Sequence, residues 1–254
     1  MPWRQHAMLE TSKRNPHNLR DAIQSLGLGL DHAKAQYWRV RHCRRLTQAR
    51  NAAFAAYNHS PRGLHIGAAD FVLENWFNTD LDPRTPNIHY LDATQPLPFP
   101  DGSFDFIFSE HMIEHIPLAA GRKLLIECRR VLKPPGVVRI ATPNLCNILT
   151  LVENHDPLTD TYLAWAVQTF KLPTEPFPKA PMVVNNFFRS WGHQFLYDPE
   201  TLRCAMEQAG FSQIIQQSVG ISAHTALQGL ERHGQAIGES INRFETMVFE
   251  GTVL

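Results

Sequence analysis

Hydrophobic residues between positions 64 and 141 form short runs that end at glycine or at polar residues. Segments of four or five residues that are rich in apolar side chains and bounded by such breaks are typical of buried strands. Their lengths are too short for helices of ordinary size. The pattern predicts five strands, at residues 64–67, 76–79, 88–91, 104–108 and 137–141.

The segment between the fourth and fifth strands has a different period. Residues 118–132 place Leu118, Leu124, Leu125, Cys128 and Leu132 on one helical face, which predicts an amphipathic helix ended by the Pro-Gly stretch that follows.

The pattern beyond residue 145 is less regular. It predicts helices at 159–170 and 198–209, the second with an Asp-Pro start, and a proline-rich loop at 171–181. It also predicts strands at 213–219 and 244–249, separated by an excursion with a helix. Strands that alternate with helices favour a mostly parallel sheet covered on both faces. The predicted fold class is therefore α/β, Rossmann-like, with seven strands.

The first 62 residues differ from the remainder in charge. They carry 11 lysines and arginines against three acids, although the whole chain is neutral. We predict an irregular start over 1–16, a short helix at 17–29 and a long helix at 31–57. The predicted organisation is a basic helical extension at 1–62 and a Rossmann-like domain at 63–254, in which 146–197 form a lid over the acceptor. The basic charge could attract an anionic partner, such as an anionic substrate, nucleic acid or a membrane surface. Alternatively, the extension is a solvated helix packed on the acidic domain of the same chain.

The remaining composition excludes several classes of protein. The four cysteines are far apart and form no CxxC pair, which argues against a zinc or disulfide framework. The sequence contains neither an apolar run long enough for a membrane helix nor a secretory signal, so we expect a cytoplasmic protein. The oligomeric state is not indicated.

Polar residues follow the predicted strands where a parallel sheet binds its ligands. Gly67, Asp80, Asp92 and the run Ser109-Glu110-His111 stand there, without lysine or arginine. The missing GxxxxGK[ST] and three-glycine motifs argue against nucleoside triphosphates and dinucleotides. A carboxylate suits ribose hydroxyls and a second one suits an adenine amino group. S-adenosylmethionine offers both groups and carries no phosphate.

Three sequence motifs, which follow one another along the chain, resemble those of a known protein family. They are LPFPDGSFD at 97–105, SEHMIEH at 109–115 and RVLKPPG at 130–136. With them, residues 63–145 resemble the class I S-adenosylmethionine-dependent methyltransferases, particularly the type 11 group. Gly192-His193, Tyr197-Asp198 and the segment 245–253 are also similar to small bacterial members of that group. The resemblance implies a methyltransferase (EC 2.1.1 type) with S-adenosylmethionine as its cofactor. The residues expected to bind the cofactor are Gly67, Ala68, Asp80, Leu81, Asp92, Ala93, Ser109, Glu110 and His111.

Histidines are the candidate catalytic residues, because an oxygen nucleophile needs a base whose pKa lies near neutrality. We select His111, His115 and His193. His111 and His115 also have the i, i+4 spacing of metal ligands, but no third ligand is evident in the sequence, so no metal is expected.

Three functions remain open at this point. The leading hypothesis is methylation of a small molecule or of a sugar-containing cell-surface precursor. The second is RNA methylation guided by the basic N-terminal helix. The third is a catalytically inactive interaction module, because the usual GxGxG turn is reduced to Gly67-Ala68-Ala69 and alanine methyl groups crowd a close backbone approach.

Overall fold

The computed structural model describes residues 42–153 and 156–254. Most of the N-terminal predictions, including the helix at 17–29 and the start of the helix at 31–57, lie outside these residues. The strands are β1 Gly63–Ile66, β2 Trp76–Asp80, β3 Ile88–Tyr90, β4 Phe104–Glu110, β5 Leu132–Pro143, β6 Ser212–Gln217 and β7 Thr246–Thr252. The helices are α1 over 42–56, α2 Leu118–Val131, α3 Leu145–Glu153, α4 Pro157–Phe170, α5 Lys179–Arg189, α6 Pro199–Gln208, α7 His233–Ile237 and α8 Glu239–Glu245.

The seven strands form one sheet in the order β3-β2-β1-β4-β5-β7-β6. Neighbours from β3 to β5 pair in parallel, and β7 lies antiparallel between β5 and β6. The predicted seven-stranded, mostly parallel α/β fold is confirmed. The order reverses between β1 and β4, so the carboxyl ends of these strands mark the crevice in which such sheets bind ligands.

The main hydrophobic core lies between the sheet and its flanking helices. Leu64 and Ile107, on the central strands, are fully buried, and Leu125 and Cys128 of α2 are buried in the same cluster. The amphipathic period of α2 thus covers one face of the sheet.

The end of α1 belongs to this core as well. The ring of Phe54 packs against those of Phe77, Phe99 and Phe104, at centroid distances of 4.8–5.7 Å. The compact unit that contains the sheet accordingly begins at Thr47. The domain boundary at residue 62 stays a prediction. The contacts of Phe54 join residues on the two sides of it.

A second hydrophobic cluster joins α3, α4, α5 and α8. Helix α5 was not predicted and begins at Lys179, inside the predicted loop 171–181. Pro181 is tolerated because it lies in the first helical turn, where the missing N–H has no partner to lose. Strand β7 begins at Thr246 rather than at 244, since Phe244 belongs to α8 and packs in this cluster. No helix in the described part of the chain is long and apolar enough to cross a membrane.

Candidate active site

A cavity of about 310 Å³ opens beyond the carboxyl ends of β1, β2 and β3. Its polar lining comes from the residues that directly end or follow these strands. Six predicted cofactor residues meet there with Ala69, Met112 and His115, and these six are Gly67, Asp80, Leu81, Asp92, Ala93 and His111.

Asp80, the last residue of β2, braces the turn that follows β1. Its Oδ2 accepts a hydrogen bond from the Ala69 N–H at 2.8 Å, and its Oδ1 accepts one from the Asp82 N–H at 2.8 Å. A carboxylate oxygen has two acceptor sites, so each oxygen retains one for a ligand hydroxyl.

The shortened turn keeps the cavity open. Gly67 has a φ of +78°, and a Cβ there would lie 2.5 Å from Cγ of Met112. Glycine is therefore required both by the backbone and by the packing of Met112. Ala68 is buried and faces a neighbouring cavity of about 160 Å³, so its methyl group does not enter the first cavity.

The third strand contributes Asp92. Its Oδ1 accepts hydrogen bonds from the N–H and the hydroxyl of Thr94, at 2.9 and 2.6 Å, while Oδ2 accepts none from the described residues. No lysine or arginine is among the described residues that line this cavity. These carboxylate acceptors therefore suit a cationic ligand that carries hydroxyl and amino groups and no phosphate, and S-adenosylmethionine is such a ligand.

Two further residues of the predicted cofactor set lie elsewhere. Ser109 is buried in β4 and lines neither the first cavity nor the neighbouring cavity of about 160 Å³. Its hydroxyl has no hydrogen-bond partner among the described residues. Glu110 accepts hydrogen bonds from the N–H groups of Arg232 and His233, at 2.9 and 3.0 Å. It therefore caps the N-terminus of α7 and fixes that helix beside the site.

A second cavity, of about 360 Å³, shares its wall with the first. His111 and His115 line both cavities. The far side is a group of four aromatic rings in mutual contact, at centroid distances from 4.8 to 5.6 Å. We call this space the aromatic cavity, and its rings are Trp165, Phe170, Phe187 and Trp191.

His111 is held in a strained position at this wall. Its φ is +46°, and its N–H donates to the carbonyl of Ala141 at 2.9 Å. Nε2 lies 2.9 Å from Oγ1 of Thr246, and Nδ1 lies 3.3 Å from Oε1 of Glu114 without hydrogen-bond alignment. Burial lowers the pKa of His111, but its close contact with the Glu114 carboxylate, together with the charge of that group, outweighs burial and raises it. Non-glycine residues with such backbone strain cluster at functional sites.

Glu114 is fully buried behind this histidine. Its Oε2 accepts a hydrogen bond from the Thr142 hydroxyl at 3.0 Å, and its Oε1 lies 4.0 Å from Nε2 of His115. Burial raises the pKa of the Glu114 carboxyl, but the neighbouring His111 reverses the effect and lowers it. The site thus contains an ionised, buried carboxylate among histidines.

His193 reaches the same wall from the segment after α5. Its Nδ1 lies 2.7 Å from the carbonyl oxygen of Phe187, and its ring is 4.9 Å from that of His115. Burial lowers the pKa of His193. All three histidines selected from the sequence therefore line one cavity.

Sequence reasoning missed His233, Glu245 and Tyr162. Nε2 of His233 lies 2.8 Å from Oε1 of Glu245, and the Tyr162 hydroxyl donates to Oε2 of Glu245 at 2.5 Å. The rings of His233 and His111 are 3.9 Å apart. These residues come from separate helices, and no local spacing in the sequence connects them.

Residues 41–140 match the family described as "Methyltransferase domain", of the type 11 group. The match spans β1 to β4 and most of β5, the part of the chain that builds the first cavity. Residues 41–140 therefore form a methyltransferase domain, and the cofactor of such a domain is S-adenosylmethionine.

Other comparisons are more distant. No curated protein matches this chain. Among solved structures, it is 19% identical to a SAM-dependent methyltransferase from Archaeoglobus fulgidus, over 82% of this chain and 94% of that one, with a TM-score of 0.47. It is 16% identical to a possible histamine N-methyltransferase from Thermotoga maritima, over 85% and 96% of the two chains, with a TM-score of 0.43. Values this low describe a distant resemblance only.

Proposed function

We propose that the methyltransferase binds its cofactor in the first cavity and methylates a small, ring-bearing molecule in the aromatic cavity. The observation that carries this proposal is the shared wall, because His111 and His115 line both spaces. In-line methyl transfer needs the nucleophile within about 3–3.5 Å of the methyl carbon, so the donor and the acceptor would have to meet where the two cavities adjoin, beside these histidines.

In the first cavity, Asp80 would accept hydrogen bonds from the ribose hydroxyls. Oδ2 of Asp92, which accepts no hydrogen bond from the described residues, would accept one from the adenine amino group. S-adenosylmethionine supplies a methyl group on a sulfonium, which is electrophilic without further activation. The task left to the chain is to hold the two partners, exclude water and accept a proton from the nucleophile when that is an alcohol or phenol.

The aromatic cavity favours a compact acceptor over a polymer. Its volume of about 360 Å³ is that of a small-molecule pocket, and its four rings offer flat apolar faces. Such faces stack on an aromatic ring or on the apolar face of a sugar, so both a small molecule and a sugar-containing precursor are compatible. The polar end, at His111, His115 and His193, would take the nucleophilic group.

The two other hypotheses have less support. The RNA hypothesis relies on basic residues that lie mostly outside the described part of the chain. The inactive-module hypothesis requires alanine methyl groups in the cofactor space. Ala68 instead faces the neighbouring cavity, and Ala69 belongs to the wall of a cavity that remains open.

A transfer experiment tests the proposal. The purified protein is incubated with S-adenosylmethionine carrying an isotopically labelled methyl group and with fractionated extract of the source cells, and the products are analysed by mass spectrometry. We expect the label in a low-molecular-mass product that carries a ring. Label recovered only in RNA, or no label in any fraction although the cofactor binds, would contradict the proposed acceptor class.

A further inference from the structure

Three side chains at the polar end of the aromatic cavity have the geometry of metal ligands. Glu114, His115 and His193 each offer one ligand atom, and the three atoms lie within 4.8 Å of one another. Zinc bonds of about 2.1 Å at tetrahedral angles place ligand atoms roughly 3.4 Å apart. The 4.0 Å between Oε1 of Glu114 and Nε2 of His115 needs only a small rotation of the partly exposed imidazole to close.

The carboxylate of Glu114 has an unsatisfied oxygen. The residue is fully buried, and Oε2 is occupied by the Thr142 hydroxyl. Oε1 has no hydrogen-bond partner in the described part of the chain, since Nδ1 of His111 is 3.3 Å away but poorly aligned. The nearby His111 offsets part of the cost of burying this oxygen, and a metal cation bound directly to it would offset more.

His193 is prepared as a ligand by its backbone contact. The Phe187 carbonyl can only accept a hydrogen bond, so Nδ1 of His193 is the protonated nitrogen and donates at 2.7 Å. The lone pair is then on Nε2. Metal-binding histidines typically have this arrangement, in which one nitrogen donates to an oxygen and the other coordinates. The Thr142 hydroxyl orients the Glu114 carboxylate in the same way.

A second group in the cavity, His111, His233 and Glu245, is less suited to bind a cation. Its ligand atoms also lie within 4.8 Å of one another. However, Nε2 of His233 is hydrogen-bonded to Oε1 of Glu245, the other carboxylate oxygen accepts from Tyr162, and Nε2 of His111 pairs with Thr246. This group satisfies itself and therefore serves as a control.

We propose that Glu114, His115 and His193 bind one divalent first-row transition metal ion, such as Zn²⁺, with a coordination position open to the aromatic cavity. Two imidazoles and one carboxylate favour such an ion over Mg²⁺ or Ca²⁺, which prefer oxygen ligands. Three protein ligands with one open position are typical of catalytic zinc sites.

This inference rests on the proposed function for the nature of its fourth ligand, an oxygen of the acceptor. A bound cation lowers the pKa of an oxygen ligand, which favours alcohols or phenols as acceptors. His115 and His193 would then act by holding the cation rather than by accepting the proton themselves.

Cobalt titration of the metal-free, full-length protein tests the site. Co²⁺ is added after chelator treatment, and its visible absorption reports nitrogen and oxygen coordination. We expect saturation at one ion per chain, displacement by Zn²⁺ and no displacement by Mg²⁺. His193→Gln and Glu114→Gln should lose the signal, and Thr142→Val should weaken binding by about 10-fold or more. His233→Gln, from the control group, should retain it.

Three results would overturn the inference. These are a wild-type protein that binds no cobalt, a signal that survives in both His193→Gln and Glu114→Gln, and a signal lost only in His233→Gln. Calorimetry with S-adenosylhomocysteine is measured on every variant. It shows, independently of cobalt binding, whether the variant is folded and whether its first cavity binds a ligand. A protein that binds S-adenosylhomocysteine but not cobalt contradicts the metal site alone. A protein that binds cobalt but not S-adenosylhomocysteine contradicts the proposed function alone.

Discussion

Arg139 and Glu231 form a buried ion pair in which Nε lies 2.6 Å from Oε1. Nη1 of the same guanidinium lies 2.6 Å from Oε1 of Glu250 and also donates to the carbonyl of Ile221. The cluster fastens the excursion between β6 and β7 to the centre of the sheet. Because His233 follows Glu231 closely, this anchor also positions one wall of the aromatic cavity.

Removing the guanidinium should strongly destabilise the fold. Arg139→Met leaves two carboxylates buried without their cation, and we expect a loss of about 3–5 kcal/mol in the free energy of unfolding, measured by urea denaturation. Arg84→Met is the control, because its pairs with Asp70 and Asp82 are exposed and 3.6 Å long. It should cost less than about 1 kcal/mol. Equal losses in the free energy of unfolding for the two variants would contradict the stabilising role of the buried Arg139 cluster.

Arg130 should be required for stability rather than for ligand binding. Its guanidinium donates to both oxygens of Glu127 and to the carbonyls of Leu97 and Phe99, which fixes the LPFPDGSFD loop. Arg130→Lys cannot reproduce this set, and we expect a loss of about 1.5–3 kcal/mol. Thermal and urea unfolding measure it. Unchanged stability, or a selective loss of cofactor affinity, would show that the motif has another role.

Asp80 should control cofactor affinity. Asp80→Asn replaces one acceptor oxygen with a donor group, so the side chain can no longer both brace the turn and bind two hydroxyls. We expect calorimetry to show S-adenosylmethionine affinity reduced by at least about tenfold, the equivalent of 1.4 kcal/mol. Asp82→Asn, at a strongly exposed side chain, is the matched control and should bind normally. Normal binding by Asp80→Asn would remove this residue from the site.

His65 should make the protein sensitive to acid. Burial lowers the pKa of His65 to about 4, despite its hydrogen bond with Asn78. The unfolded chain takes up a proton near pH 6.5 and the folded chain does not, so stability is complete above pH 6.5 and falls as the pH drops toward 4. The loss is about 3 kcal/mol at roughly 1.4 kcal/mol per pKa unit.

The comparison of two histidine variants isolates this effect. Urea unfolding across pH 4–7 should show a shallower acid loss in His65→Gln than in the wild type. His59→Gln, at an exposed histidine, should keep the wild-type slope. Identical slopes for the wild type and His65→Gln would contradict the prediction.

Trp191 should affect the acceptor and not the cofactor. Its ring packs against Phe170 at 4.8 Å in the aromatic cavity, and it does not line the first cavity. Trp191→Ala should raise the KM for the acceptor by about tenfold, since base or ring stacking on an aromatic side chain contributes about 1–3 kcal/mol. S-adenosylmethionine affinity should stay unchanged. Weaker binding of both the acceptor and S-adenosylmethionine would indicate that Trp191 has a structural role instead.

The first half of the site could be predicted because it is local in sequence. Gly67, Asp80 and Asp92 each end or follow a strand, and parallel strands bring those ends to one edge of the sheet. Hydrophobic runs identify the strands, so the residue after each run is a candidate for the site. The same reasoning could not show that Glu110 caps α7, because its partners lie 122 and 123 residues away.

The sequence by itself therefore determined the α/β sheet and the acidic edge at its strand ends, since both follow from periodicity and strand ends. Only the tertiary structure decided what faces that edge. His193 meets Glu114 and His115 because the backbone N–H groups of Gln194 and Phe195 donate to the Glu114 carbonyl. The buried Arg139 cluster holds in place the excursion that carries His233. Contacts between segments this far apart depend on packing, which no local pattern encodes.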